Sequence, residues 1–401
     1  MRPVAWPGEG TTTMRMLFST TAGSGHFGPL VPVARACQQA GHEVRVAAPA
    51  SFADAVAGAG FAHEPFADVS PEVMGAVFSR LPHLPREEAN QVVLSDVFGR
   101  LDAQAALPGV TEVIARWRPH VVVRETCEFG SLAAAEKAGV PHVEVAIGLS
   151  GAVAMARPAV ATALDELDAL AGLTTGTLSA SWARSPVLTS VPVELDDLAS
   201  ATGPVHRFRA EGAPGGQRRA AGLPPWGDPD QPLVYVTFGS VTGGLPPFAG
   251  LFPAVLGVLA GEPVRALLTT GHGVDPATLA PVPPNVHVER WWPQDDVLLV
   301  ADAVVGHGGF GTTMAALGAG LPQVVMPLFA SDQFVNAERV AATGAGVCLD
   351  GGLAAVPVLA GAVREVLEEP GYREAAQRVA AAMAALPGPL SAVAFIVDRV
   401  T

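Results

Sequence analysis

AVVGHGGFGTTMAALGAG, residues 303–320, is the stretch on which the fold reading turns. An apolar run, Ala303–Gly306, ends at a glycine, which suits a short buried strand. His307 follows, and Gly308, Gly309 and Gly311 clear side chains from the turn. Thr312 and Thr313 then fall in the first turn of a helix that runs to about Leu317. Bare backbone N–H groups, a helix N-terminus and two hydroxyls converge on one point, which is the chemistry of an anion site. The spacing suits a diphosphate. It is not a Walker A loop, because no GK[ST] follows the glycines.

Outward from this unit the same grammar repeats. Leu233–Gly239, Arg265–Thr270, Val286–Arg290 and Gln323–Pro327 read as further strands with helices between them. Nearer the N-terminus, Met14–Thr21 leads into a glycine loop, a helical stretch from Pro29 to Ala40, and a second strand, Glu43–Pro49. Val121–Arg124 and Val143–Ile147 flank an Ala-rich helix over 129–138. Alternating strands and helices give parallel α/β units. Between the two sets lies a stretch rich in Gly, Pro and charge. The expected division is an extension at 1–13, with a natural start at Met14. An α/β domain follows at 14–205, then a linker at 206–230, a second α/β domain at 231–385 and a tail helix at 386–401. The tail has apolar residues at helical spacing and needs a surface to cover, which the N-terminal domain would supply. Periodicity is weak over 70–108 and 150–200, which carry several prolines, and both are expected to be variable loops.

The bulk numbers set bounds. A chain of 401 residues, 49% hydrophobic and 15% charged, is ample for two packed cores. A net charge of −14 speaks against a protein that grips nucleic acid non-specifically. Cys37, Cys127 and Cys348 are scattered, with no zinc-like cluster, and fit reduced thiols in a cytoplasmic protein. No secretory signal and no apolar run of membrane-spanning length is evident.

The N-terminal loop carries Gly23, Gly25 and Gly28 as a GxGxxG. A dinucleotide-binding dehydrogenase would need an acidic residue at the end of the second strand to hold a ribose. That strand ends Ala47-Ala48-Pro49, and His26 occupies the crest of the loop. Taken by itself, His26 could be an ordinary polar loop residue.

Three segments resemble a known family. WWPQDDVL (291–298) and HGGFGTTMAALGAGLPQVVMPLFASDQFVNAERV (307–340) are similar to the donor-binding signature of GT-B family-1 glycosyltransferases. The style is that of actinobacterial antibiotic enzymes of macrolide and enediyne type. STTAGSGHFGPLVPVARACQQAGHEVRVAAP (19–49) is similar to their opening strand, loop and helix. The resemblance implies two Rossmann-like domains whose parallel sheets face a central cleft. It implies Trp291 stacking on the nucleotide base, with Gln294 beside it and Trp292 at a variable position. His307, Gly308, Gly309, Gly311, Thr312 and Ser240 would bind the diphosphate. Asp332 and Gln333 would bond sugar hydroxyls, with Asn336 a weaker candidate. The Trp pair could instead be core, and Asp332 could cap its helix.

On the acceptor side the resemblance makes His26 the general base and Glu125 its orienting partner, with Glu128 the competitor. The implied reaction is an inverting transfer of a sugar from a nucleotide diphosphate to an apolar small molecule. It needs no cofactor and no metal; the one DxD, Asp228-Pro-Asp230, reads as a turn. Uridine-type relatives often carry Glu eight residues after the motif histidine. Here that position is Ala315, so a dTDP-sugar is expected over a UDP-sugar. Expected partners are therefore a nucleotide-sugar donor and an apolar acceptor, with no nucleic acid and no membrane span, and with a homodimer left open. A nucleotide-sugar epimerase and a non-catalytic partner of another transferase are the competing readings. Neither needs both His26 and the donor motif.

Overall fold

The computed structural model describes residues 13–196, 198, 201–210 and 222–400. Most of the expected extension at 1–13 and the middle of the expected linker lie outside the described residues. The first sheet is built from β1 (Arg15–Ser19), β2 (Glu43–Pro49), β3 (Ala62–Phe66), β4 (Val121–Glu125), β5 (His142–Val145), β6 (Val187–Thr189) and β7 (Val205–Arg207). The second is built from β8 (Leu233–Thr237), β9 (Arg265–Thr269), β10 (Val286–Glu289), β11 (Ala303–Gly306), β12 (Gln323–Val325) and β13 (Gly346–Cys348). Strand order is 3-2-1-4-5-6-7 in one and 10-9-8-11-12-13 in the other. Every pairing is parallel: Phe18 lies between Val46 and Val123, and Val305 lies between Val236 and Val324. This is the two-domain Rossmann-like architecture of GT-B enzymes. β7 runs two residues past the expected end of the first domain.

Parallel strands covered on both faces should be largely apolar, and the central strands β8 (LVYVT) and β11 (AVVG) are, with every residue buried. Met16, Phe18, Val121 and Val123 face one side of the first sheet, against the helix Leu30–Gln39. Leu17 and Val122 face the other, against the helices Ala103–Trp117, Phe129–Ala138 and Ser150–Ala171. The tail helix Leu390–Val397 crosses back to the first domain. Its Ala392, Val393, Phe395 and Ile396 are buried among the residues of the first face. Phe395 stacks on His206, whose Nε2 meets Ser391 Oγ at 2.8 Å. Burial of Phe395 and Ile396 contributes roughly 1.5–3 kcal/mol each.

Two expectations are corrected. The regions 70–108 and 150–200 are largely helical rather than looped. Helices span Pro71–Phe78, Arg86–Val92 and Ser150–Ala171, and a π-helical run, Val93–Asp102, joins Arg86–Val92 to Ala103–Trp117. The π-helical run widens the repeat and blurs the 3.6-residue pattern. Pro108 and Pro158 sit inside helices, where sequence reading takes proline as a stop.

In both sheets the direction of winding reverses between adjacent strands, at β1/β4 and at β8/β11. Ligands of such sheets bind outside the carboxyl ends of the strands at that point.

Candidate active site

The first reversal point presents His26 and Glu125. β1 feeds the loop Thr20–Gly23, which rises into the short helix Ser24–Phe27 carrying His26. Glu125 is the last residue of β4 and is fully buried. His26 Nδ1 lies 3.0 Å from Glu125 Oε1, and 22% of the His26 side chain remains open. Glu125 Oε1 also accepts from Thr21 Oγ1 at 3.2 Å, and Oε2 accepts from the Cys127 N–H at 2.6 Å. Burial alone would raise the Glu125 pKa. The paired imidazole and the Cys127 and Thr21 N–H groups outweigh it and hold the carboxyl below its usual range. An ionised carboxylate can only accept, so Nδ1 carries the proton and neutral His26 has its lone pair on Nε2. Burial alone would lower the His26 pKa, but the Glu125 charge and hydrogen bond, aided by Asp332 and Asp102, raise it.

Glu128, the competitor, is occupied elsewhere. It caps the helix Phe129–Ala138 by accepting from Ser131 N at 3.1 and 3.0 Å, and Ser19 Oγ donates to it at 2.7 Å. Arg124, which sequence reading missed, anchors the end of β4. It is fully buried, donates to the Glu125 and Thr126 carbonyls, and pairs with Glu144 at 2.9 Å. It follows three valines in β4 and precedes Glu125, and a charged pair at a strand end reads as the start of an exposed turn rather than as buried.

His26, Glu125 and Cys127 could place one donor atom each within 4.8 Å of one another. As a metal set they fit poorly. Burial, with Glu125 nearby, pushes the Cys127 thiol well up, so it offers no thiolate, and Nδ1 already serves Glu125.

The second reversal point presents the glycine turn. His307 follows β11, and the helix Phe310–Gly318 begins with Gly309 as its N-cap. The imidazole is clamped between two glycines. A Cβ on Gly239, which has φ +77, would sit 2.8 Å from His307 Cε1; a Cβ on Gly309 would sit 2.7 Å from Cε1 and Nε2. Burial pulls the His307 pKa down to about 4, so the ring is neutral and acts by hydrogen bonding rather than charge. Its Nδ1 is buried without a partner. Thr312 Oγ1 donates to Gln294 Oε1 at 3.0 Å, which leaves the Gln294 amide N–H groups free to donate.

Gln333 Oε1 accepts from the Leu328 and Phe329 N–H groups at 2.9 and 3.1 Å, leaving its own N–H groups for a ligand. Asp332 lies in the first turn of the helix Ser331–Ala342. It is not the N-cap, which is Ala330 and makes no side-chain bond. Burial raises its pKa, against the pull of its own and the Gln333 N–H groups and of His26. Asn336 is corrected: it is fully buried and donates to the Gly308 carbonyl at 2.7 Å, behind the turn rather than on the cleft. Gly308 (φ +85) packs on the Gln333 carbonyl, where a Cβ would stand 2.6 Å away. Trp291 is 65% exposed, free to stack, whereas Trp292 packs half-buried against the second domain's core.

The two halves face each other across one cleft of about 910 Å³. His26, Ser240, Gln294, His307, Gly309, Gly311, Thr312, Asp332 and Gln333 all line it, and none of its described lining residues is Lys or Arg. Asn90 ties the walls together: its Oδ1 accepts from the Ser331 N–H at 3.1 Å, 241 residues away. That satisfies an N–H at a helix start with no side-chain cap of its own. Arg86 adds a contact 3.9 Å over the Phe334 ring. Losing such a cap costs ~1 kcal/mol. Asn90→Ala is therefore expected to raise the KM of the donor up to about fivefold. Steady-state kinetics with the donor varied would show it; an unchanged KM would contradict it.

Family models described as Erythromycin biosynthesis protein CIII-like match the chain twice. The N-terminal domain of that description matches residues 35–166 and the C-terminal domain matches 266–398. L-demethylnoviosyl transferase of Streptomyces niveus is 34% identical over 351 residues, covering 84% of this chain and 85% of that protein. The crystal structure of the glycosyltransferase SnogD of Streptomyces nogalater aligns with a TM-score of 0.74 at 29% identity, covering 97% of this chain and 100% of that one. The glycosyltransferase SsfS6 of Streptomyces sp. SF2575, solved with thymidine diphosphate, aligns with a TM-score of 0.73 at 25% identity, covering 96% and 99%.

Proposed function

This chain belongs to the Erythromycin biosynthesis protein CIII-like family of antibiotic glycosyltransferases, and from that premise we propose how its own residues run the reaction. It is a glycosyltransferase of natural-product antibiotic pathways, carrying a sugar from a nucleotide-sugar donor to a small-molecule acceptor. The finer reading is a dTDP-(deoxy)sugar donor, an acceptor hydroxyl, inversion at the anomeric carbon and His26 as general base. The observation that carries it is the His26–Glu125 pair, 3.0 Å apart, facing the glycine turn of the other sheet across one cleft.

The acceptor hydroxyl gives its proton to His26 Nε2 as its oxygen attacks the anomeric carbon. The bond from that carbon to the diphosphate breaks on the opposite side, so the centre inverts. Glu125, already ionised, stabilises the imidazolium as it forms. Charge growing on the leaving diphosphate meets the N–H groups at the start of the helix Phe310–Gly318, neutral His307 and the Gln294 amide.

The pH dependence has a defined sign. Protonated His26 has no lone pair on Nε2, so kcat/KM rises with pH as the imidazolium deprotonates. Because Glu125 raises the His26 pKa, the midpoint of this acid limb is expected above the ordinary 6.5. Glu125→Gln removes the charge, leaves burial to dominate and moves the limb to lower pH. A kcat/KM profile of both proteins checks this. A limb that stays put in Glu125→Gln contradicts it.

The preference for thymidine over uridine rests on Ala315, which lies on the helix Phe310–Gly318 and, like Trp292, packs half-buried against the core of the second domain. An alanine cannot accept from a ribose 2′-hydroxyl, and a deoxyribose has one hydroxyl fewer to satisfy. The difference is roughly 1 kcal/mol, about fivefold in affinity. The thymidine diphosphate held by SsfS6 supports the same choice. Calorimetric titration of the two diphosphates is expected to give tighter binding of dTDP, with Ala315→Glu narrowing the gap. Equal affinities, or tighter binding of UDP, by the unaltered protein would overturn the assignment.

A further inference from the structure

The acceptor half of the cleft holds one carboxyl group that neither the reaction above nor a hydrogen bond to another side chain uses. Asp102 closes the π-helical run Val93–Asp102, close to one turn beyond Phe98, whose ring centre lies 5.1 Å from that of His26. It opens on the cleft. The surrounding wall is apolar, with Phe66, Val69, Met74, Phe78, Leu94 and Phe98 among its residues. A cleft of this kind orients its ligand through the few polar groups it offers.

The other carboxyl and amide side chains there are committed. Asp68 accepts from the Ser51 N–H at 3.2 and 3.1 Å and from its hydroxyl at 2.5 Å. Asn90 holds Ser331, and Glu128 holds Ser19 and Ser131. The Asp102 carboxylate caps no helix N–H and makes no hydrogen bond to any described residue. It lies near enough to His26 for each to influence the other's charge. Burial first, then Glu128 and Glu125, push its pKa up to about 6 against the pull of His26. Glu125 already orients the imidazole, so a second partner for Nδ1 is not needed.

We propose that Asp102 orients the acceptor: its carboxylate accepts a hydrogen bond from a second hydroxyl next to the one His26 deprotonates. The preferred acceptors are then apolar ring systems bearing two neighbouring hydroxyls, gripped at both. This rests on the assignment of His26 as the base, since the reacting hydroxyl fixes where the second one falls.

The experiment uses the full chain saturated with dTDP and two ligands of one ring system, 2,3-dihydroxynaphthalene and 2-naphthol. Affinities are measured by calorimetry for the unaltered protein, Asp102→Leu and Asp102→Asn. A hydrogen bond to a charged group gives about a tenfold preference for the diol in the unaltered protein. Asp102→Leu is expected to abolish that preference while leaving 2-naphthol binding unchanged, and Asp102→Asn, which keeps an acceptor oxygen, to retain part of it. A diol preference that survives in Asp102→Leu overturns the proposal. So does equal binding of both ligands by the unaltered protein, a parallel loss of both ligands in the variants, or binding of neither. Product formation from 2-naphthol by the unaltered protein, and its loss in His26→Ala, report separately on the base, so the two readings fail independently.

Discussion

His26→Ala is expected to lower kcat for transfer to an alcohol by about 10²–10⁴-fold, the span of a general base, while donor affinity stays the same. An alcohol is almost wholly protonated at neutral pH, so its oxygen attacks well only if the proton leaves as the new bond forms. Nε2 is the lone pair placed for that, because ionised Glu125 fixes the proton on Nδ1. The variant is expected to fold. His26 is partly open to the cleft, and Glu125 keeps Thr21 and the Cys127 N–H as partners. A phenol needs less help with deprotonation and is expected to lose less. Turnover with an alcohol and a phenol, beside dTDP affinity, makes the check. Equal turnover in the variant removes His26 from the chemistry, and an equal loss of dTDP binding makes its role structural.

Gly309→Ala has the second-largest expected effect, and it acts through His307. Gly309 has an ordinary backbone φ of −59°, so alanine introduces no backbone strain. The difficulty is the ring: the new methyl would stand 2.7 Å from two His307 ring atoms. The ring has little room to retreat, because Gly239 packs so close that a Cβ there would stand 2.8 Å from Cε1. His307 must therefore leave its position, and overpacking of this kind costs about 1–3 kcal/mol. Loss of the hydrogen bond to a charged diphosphate costs about 1.5–3 kcal/mol more, or roughly 10–100-fold in dTDP affinity. Gly318→Ala on the same helix makes only an ordinary contact with Met383 and serves as control. Calorimetry of dTDP with both variants decides: equal affinities would mean the clamp does not set the donor site.

The contrast between these two residues shows what a sequence can carry. The strand, glycine turn and helix at 303–318 are local, and their chemistry is legible because every participant is adjacent in the chain. The pairing of His26 with Glu125 rather than Glu128 is not local. It depends on β1 and β4 lying side by side, which puts Ser19 next to Arg124 in register. The clamp on His307 needs Gly239 from the turn after β8, a distant part of the chain. Asn90 meets Ser331 only once the two domains face each other. Asp102 was hidden by the π-helical run, whose wider repeat made 93–102 look like loop. Asn336 shows the opposite limit: the motif around it was legible, but its side chain turned inward to hold the Gly308 carbonyl. Trp291 and Trp292 read alike in sequence and part company in three dimensions, one open and one half-buried against the core.

The central claim is a single displacement at the anomeric carbon, with the acceptor oxygen arriving from the His26 side as the diphosphate leaves toward His307. The anomeric configuration of the product reports on it directly. With an α-configured dTDP-sugar and any acceptor the protein turns over, proton NMR of the purified glycoside is expected to show the β-linkage. A product that keeps the α-configuration would contradict the account.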